Sequence, residues 1–555
     1  MMNRKSLPKG WRWARLGDTQ VATVIMGQSP SGSTYNKEGC GLPFYQGKAD
    51  FGDISPKPRV WCTTPIKIAE PGDILISVRA PVGPTNLASH RCCIGRGLAA
   101  IRSQRNAITL YLYFWLKYIE PWLGEQGHGS TFRAIGKDML ENILVPLPPL
   151  PVQERIVQIL QKADEIRRKR KEALELVDKI LPALFLEMFG DPATNPKGWP
   201  TEPIGALVHF DTAQIKPKPG ETYLYLAPEH IESNTGNYTG PHPTDGREIG
   251  SAKHPFTSEH VLYCKLRPYL NKVVLPHTSG ICSTELVPLR PGPKLLREFL
   301  GIYLRLPFFV ATAVQKSQGT KMPRFGPELM KREEMIVPPI PLQQSFCLQV
   351  SQLMEVSKRV NEGLSLSCSS FNGLLSRAFT GELTAEWEAA NADWIAERQA
   401  FYERLPRLVI LALLAEKAKR AGRAAATVLI TALMKYVFLF QMEGNGGRRR
   451  LYHFVPYHYG PFSKEVYADL EALEQEGLVR VEKDPGEEKT KITLADAAKI
   501  EEQLAVLPDD IKQDVAVIIE TYGDLDHATL LSTVYEKYPA YARKSQLKRK
   551  GRRAQ

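Results

Sequence analysis

The stretch VPLPPLPVQERIVQIL occupies residues 145–160, and VPPIPLQQSFCLQV occupies residues 337–350. Each carries an apolar strand end through a run of prolines into a helix start that bears glutamine. Proline suits a first helical turn, where its missing N–H has no partner to lose. After Pro151, Ile156, Ile159, Ala163, Ile166, Ala173, Val177, Ile180 and Leu184 recur at alternating spacings of three and four, with Arg170 as the one break. After Pro341, Phe346, Val350, Leu353, Val360, Leu364, Phe371, Leu374 and Ala378 do the same, with Ser357 and Ser367 as weaker members. Both patterns are coiled-coil seams. About 35 helical residues at ~1.5 Å each reach roughly 50 Å, more than a packing helix needs. Two such helices read as a spacer, or else as two independent helical linkers. Pro182 is expected to kink or end the first helix.

Outward from these junctions the chain repeats itself. LPKGWRWARLGD at Leu7 is answered by NPKGWPTEPIGAL at Asn195. PGDILISVRAPVG from Pro71 is echoed by SEHVLYCKLRPYLNK from Ser258, each a strand that delivers an arginine to a turn. CCIGRGLAAIRS and GICSTELVPLRP follow as strands ending in arginine, then an aromatic-rich helix, a Gly-Ser/Thr loop, a short helix and the proline-backed strand. Two homologous α+β modules, each followed by a long helix, account for this order.

The 555 residues suffice for three or four domains. An apolar share of 43% and a charged share of 24% are those of a soluble globular protein, and no run of about 20 apolar residues is present. MMNRKSLPKGW carries no apolar signal segment, so a cytoplasmic location is expected. The eight cysteines form no C-x-x-C pair and are expected to be reduced and mostly buried. A net charge of +12 points to a polyanionic partner, nucleic acid first. Part of it lies in the terminal run RKSQLKRKGRR, which reads as a basic tail.

Catalytic patterns are missing. There is no G-x-x-x-x-G-K-(S/T) loop and no (Asn/Asp)-Pro-Pro-(Tyr/Phe) loop. GRGLAA, residues 95–100, matches a dinucleotide fingerprint by letter, but LAAIRS reads as a strand and not as a helix start. Glu487, Glu488 and Lys489 sit in a charged turn between two strands. No pair of histidines has metalloprotease spacing, and neither metal nor cofactor is expected. Binding chemistry remains. Ser130, Thr131 and Arg133 combine hydroxyls and a cation ahead of a helix, which suits phosphate contact or a plain helix cap. Lys316, Gln318, Thr320, Lys321 and Arg324 form the counterpart loop. Arg79 and Arg96 in the first copy, and Lys265, Arg267, Tyr269 and Lys272 in the second, could reach bases or backbone, or else pair with carboxylates. Gln46 and Lys48, with Asp50, form a polar turn able to read bases.

The Pro-Lys-Gly-Trp openings, PGDILIS, CIGRGLAAI, ICSTELVPLRP, the paired PPLPVQERI and PPIPLQQSF, and LLSRAFTGELTAEWEAAN at Leu374 together resemble the specificity subunit of Type I restriction-modification systems. The resemblance implies target recognition domains over residues 1–150 and 191–340. It implies conserved spacer helices over 151–190 and 341–390 that pack antiparallel as a ruler between two DNA half-sites. It also implies docking of two methyltransferase subunits and restriction subunits, with AdoMet, Mg and ATP held by those partners. The second junction departs from the first, with Gln344-Ser345 in place of Glu154-Arg155. Residues 400–540 lie outside that family. They read as a mostly helical, winged-helix-like domain, and Tyr457 to Ser463 resembles the Tyr-Gly-Pro motif of YwgA-like and Panacea-type antitoxin domains. Residues 541–555 are the basic tail. The competing expectation is a stand-alone winged-helix regulator or antitoxin-like protein.

Overall fold

The computed structural model describes residues 6–126, 134–422, 427–444, 450–483 and 490–542. They divide into two compact units, residues 1–165 with 369–555 and residues 166–368.

The first unit contains the first module. Its strands are β1 (Arg12–Arg15), β2 (Ala22–Met26), β3 (Tyr35–Asn36), β4 (Leu42–Tyr45), β5 (Trp61–Cys62), β6 (Ile68–Ala69), β7 (Ile74–Ser77), β8 (Thr85–Leu87), β9 (Cys92–Ile94), β10 (Leu98–Ser103) and β11 (Leu144–Leu147). They form a β1-β11 pair, a sheet in the order β2-β10-β7-β8, and a sheet in the order β3-β5-β4-β9-β6. Pairing is antiparallel except between β4 and β9. GRGLAAIRS therefore contributes strand β10, and the handover strand β11 pairs with the strand that follows Pro-Lys-Gly-Trp.

The second module, in the other unit, repeats the plan. It has β12 (Thr201–Pro203), β13 (Val208–Phe210), β14 (Thr222–Leu226), β15 (His242–Asp245), β16 (His254–Phe256), β17 (Val261–Cys264), β18 (Val273–Val274), β19 (Gly280–Cys282), β20 (Leu286–Pro291) and β21 (Glu334–Ile336). The orders are β12-β21, β13-β20-β17-β18 and β15-β14-β19-β16, again with a single parallel pair, β14 with β19. Duplication thus reaches down to strand direction.

The long helices are Leu150–Phe189 and Ile340–Thr380. The first continues through Pro182, so that proline does not end it. Phe346 packs on Phe185 and Phe189, and Arg170 bonds to the Gly363 carbonyl and the Ser367 hydroxyl, so the helices run antiparallel in that unit. The break in one seam meets the soft place in the other. A β-carbon on Gly363 would stand 3.4 Å from the Arg170 guanidinium, so the small residues are what make room for the arginine.

Two repeated devices tie each module to helix ends. Gln153 and Gln343 are fully buried. Gln153 accepts from the Ile108 amide at 2.9 Å and donates to the Asn106 and Pro148 carbonyls, whereas Gln343 accepts from the Leu296 amide at 2.9 Å and donates to the Lys294 and Pro338 carbonyls. Each side-chain amide thereby satisfies one orphan N–H at the start of the module's aromatic helix, Thr109–Tyr118 or Arg297–Tyr303. The second device is a glycine just past each long helix, Gly190 with φ +79° and Gly381 with φ +83°. A β-carbon there would stand 2.7 Å from Pro196 or 2.2 Å from Pro8, the prolines of the two Pro-Lys-Gly-Trp openings. Left-handed backbone and close approach both demand glycine.

The C-terminal region begins with the helix Ala392–Arg420. A helix Lys464–Gln475 leads into the hairpin Val479–Lys483 with Thr490–Leu494, joined by the strand Val428–Leu429. The helices Ile430–Glu443, Asp509–Tyr522 and His527–Lys537 share its core with them. Glu487, Glu488, Lys489 and the basic tail from Arg543 lie outside the described residues. This region seats on the first module. Gln399 accepts from the Leu150 amide at 2.9 Å, Tyr402 donates to Glu154 at 2.7 Å, and Arg155 stands over Trp387. The charges at Glu154-Arg155 are therefore engaged within the chain, while Gln344 and Ser345 are exposed to solvent. Deeper in, Asp73, only 1% exposed, takes a two-pronged contact from Arg102 at 2.6–3.2 Å and a second arginine, Arg450, at 3.7 Å. Burial and the neighbouring Arg102 lower the pKa of Arg450 to about 10, and Asp73 opposes them.

Candidate nucleic-acid interface

In the first module three strands end at one place. The Gly95 amide donates to the Tyr45 carbonyl at 2.8 Å, and the Val78 amide donates to the Gly97 carbonyl at 2.9 Å. The segments just past β4, β9 and β7 are thus stitched edge to edge, and they carry Gln46, Arg96 and Arg79, all exposed. Gly97 must be glycine, since a β-carbon would stand 2.1 Å from the Gln46 carbonyl. Asp50 does not face outward as a reader. It accepts from the Gln46 amide at 2.7 Å and pairs with Arg59 at 2.6 Å, which holds the turn in shape. Lys48, in the same turn, lies near Glu120, whose carboxyl burial raises while Lys117 and Lys48 draw it down. Ile135 donates to the Val78 carbonyl and Ala134 bridges Arg79, which leads the next loop to the same edge. Ser130, Thr131 and Arg133 lie outside the described residues. Gln28 and Ser29 were not read from sequence, yet the Ser29 hydroxyl accepts from the Arg96 amide and Gln28 donates to the Ile94 carbonyl. Their only signal was their place after an apolar strand.

The second module builds the same edge. The Ser283 amide donates to the Leu226 carbonyl at 2.9 Å, Lys265 to the Glu285 carbonyl at 3.0 Å, and Phe325 to the Lys265 carbonyl at 2.9 Å. Position by position, Lys265 stands where Val78 does, Glu285 where Gly97 does, and Arg324 where Ala134 does. Arg267 adopts a left-handed backbone, φ +51°, and its amide donates to the Pro323 carbonyl at 2.7 Å. That contact brings exposed Arg267 and Tyr269 to the loop carrying Gln318, Thr320 and Lys321, which are exposed as well. Gln318 and Arg324 exchange backbone hydrogen bonds at 2.8–2.9 Å and close that loop.

Three of the sequence candidates are engaged internally. Arg324 forks onto Glu285 at 2.9–3.2 Å, Lys316 pairs with Glu333 at 2.7 Å, and Lys272 donates to the Pro228 carbonyl at 2.7 Å. Glu285 is the residue that sequence reading passed over, although it stands in an otherwise apolar repeat at the place of a glycine. Burial pushes the Cys264 and Cys282 thiols up to about 11 and 12, so both persist as small neutral core groups. All eight cysteines are unpaired, and Cys40 is exposed. Among the described residues no cluster of His, Cys, Asp and Glu could hold a metal ion. No described helix is long and apolar enough to cross a membrane.

Two modules of one topology thus present loops with cations and hydrogen-bonding groups at corresponding strand ends. Residues 8–176 match the model of the Type I restriction modification DNA specificity domain. The chain is similar to Type I specificity subunits. It is 46% identical to the MjaX type I restriction enzyme specificity subunit of Methanocaldococcus jannaschii over 184 residues, covering 32% of this chain and 43% of that one. It is 27% identical to the EcoDI type I restriction enzyme specificity subunit of Escherichia coli over 357 residues, or 57% and 79% of the two chains. The crystal structure of the HsdS subunit from Thermoanaerobacter tengcongensis is 54% identical over 29% of this chain and 39% of its own, with a TM-score of 0.27. The chain therefore spans less than half of the MjaX relative and about four fifths of the EcoDI relative.

Proposed function

We propose that the protein is the DNA-recognition subunit of a Type I restriction-modification complex, non-catalytic in itself and cytoplasmic, and that each module reads one half of a split duplex target. The observation that carries this is the repeated strand-end edge with its exposed Arg79, Arg96, Arg267 and Lys321, the first copy of it within residues that match a DNA specificity domain. Exposed polar and cationic groups on loops fixed by a sheet suit base and phosphate contact. The long helices serve as the ruler between half-sites. They also expose Ile166, Leu176, Ile180, Leu348 and Leu366, the last 67% exposed, which favours their docking two methyltransferase subunits, with restriction subunits joining the assembly. AdoMet, Mg and ATP belong to those partners. In this reading the C-terminal region is a winged-helix-like addition.

Methylome sequencing of cells with and without the gene tests this. Loss of adenine methylation at one split motif is expected, and an unchanged methylome would refute the role in that host. Removing about one turn from the first long helix should alter the gap in the motif and leave both half-sites intact. Changed half-sites would refute the ruler.

A further inference from the structure

The C-terminal region contains a cleft separate from the strand-end edges described above. Its wall is the hairpin Val455–Tyr457 with Gly460–Phe462, and its floor is the helix Ile430–Glu443. Ile430, Met434, Tyr457, Tyr459, Phe462 and Tyr467 line it around a volume of about 100 Å³. The three tyrosines are each more than 40% exposed, an unusual concentration of aromatic surface. Gly460, at φ +96°, takes the backbone conformation that the hairpin turn needs, and a β-carbon there would also crowd Leu531 at 3.1 Å.

Lys435 lines this cleft and is only 2% exposed. Among the described residues none pairs with its ammonium or hydrogen-bonds to it. A buried cation without a partner is held at a large desolvation penalty, and the group that relieves it is an anion. Burial lowers the amine to about 7. His527 is close enough to feel the same amine, and its buried Nδ1 has no hydrogen-bond partner among the described residues.

We propose that this cleft binds an acidic side chain presented by a peptide segment of a partner protein, with Lys435 Nζ receiving the carboxylate and the tyrosines covering the flanking residues. Charge selects this occupant. Lys435 is the one cation among the lining residues, whereas a phosphodiester chain is gripped by a series of cations. Aromatic walls around a single charged anchor are the composition of a protein-binding hot spot.

The test uses the full-length protein and immobilised hexapeptide pools blocked at both ends, with a central Glu or Gln and random neighbours. Two further probes are a Gln pool with a free C-terminal carboxylate and a single-stranded oligonucleotide. The Glu pool should be retained about tenfold better than the blocked Gln pool, and Lys435→Met and Tyr467→Ala should each abolish the difference. In the unaltered protein the Glu pool should also shield Lys435 from an amine-acylating reagent, a readout that needs no variant. Equal retention of Glu and Gln pools, full retention by Lys435→Met, or no shielding would overturn the proposal. Preference for the free-terminus pool would refute a side-chain source, and Lys435-dependent capture of the oligonucleotide alone would refute a protein partner.

Discussion

Arg102 and Arg290 stand at the same place in the two modules, one residue beyond the paired positions Ile101–Ile74 and Leu289–Val261. By the same register Asp73 corresponds to His260. In the first module Arg102 meets Asp73 directly, and the C-terminal region lays Arg450 over the pair. In the second, the carboxylate has moved to Asp211, which accepts from His260 at 2.9 Å and Arg290 at 3.0 Å, and the face stays open, with the Arg290 side chain 47% exposed. One scaffold position thus serves as a buried docking point in one copy and as a solvent-facing ion pair in the other. A duplicated fold tolerates this because the buried caps and sheets, which the copies share, support each module whichever way that face is used.

The comparison can be broken most sharply at its charged centre. Asp73→Asn leaves two enclosed guanidiniums without their counter-charge and should cost about 3–5 kcal/mol, read as a loss of the denaturation midpoint with release of the C-terminal region. Asp211→Asn, at a half-exposed site, should cost under about 1 kcal/mol. Comparable losses in the two variants would show that the faces are equivalent after all. The acid response differs in the same sense. Burial raises the Asp211 carboxyl, but hydrogen bonds from His260 and Arg290 outweigh it and hold the pKa below the ordinary range. Its contribution is therefore present above about pH 4 and fades as pH falls through the lowered value; acid titration of Asp211→Asn should lack that component.

Where the copies agree, the variants should agree. Gln153→Leu and Gln343→Leu each strand a buried amide and two carbonyls, and each should cost about 2–3 kcal/mol in thermal melts. A large effect in only one would mean the caps are not the common support. At the strand-end edges the copies differ again. Arg96→Ala should weaken binding of the split target by about 1–3 kcal/mol and relax one half-site, as footprinting or methylation would report. Arg324→Ala should change recognition less, because Glu285 already occupies its guanidinium. The reverse order would show that the Arg324–Glu285 pair opens on DNA.

The repeated openings, the proline junctions and the two long helices rest on local rules of period, capping and turn chemistry, and those rules act over a few residues. The strand reading of LAAIRS and the hairpin after Lys464–Gln475 rest on the same ground. The seam itself was only partly legible, since Ile166 and Ile180, at seam spacing, are exposed. The candidate site was legible only as a set of residue types. Sequence reading named Lys316 and Arg324 as candidate contacts, but their carboxylate partners Glu333 and Glu285 come from other segments. The departure at Gln344-Ser345 was likewise visible in the sequence without its cause. The structure supplies that cause: at the first junction the C-terminal region itself takes up Glu154 and Arg155.

By itself, then, the sequence determined a duplicated α+β module, two long helices and a basic surface bias, since periodicity and net charge are properties of the chain. Tertiary structure alone decided which cations remain free, where Arg450 and Lys435 are buried, and which module the C-terminal region covers. Those outcomes depend on contacts between separate segments, from tens of positions apart for Arg324–Glu285 to hundreds for Arg450–Asp73, and desolvation acts on a charge only once such contacts have closed around it.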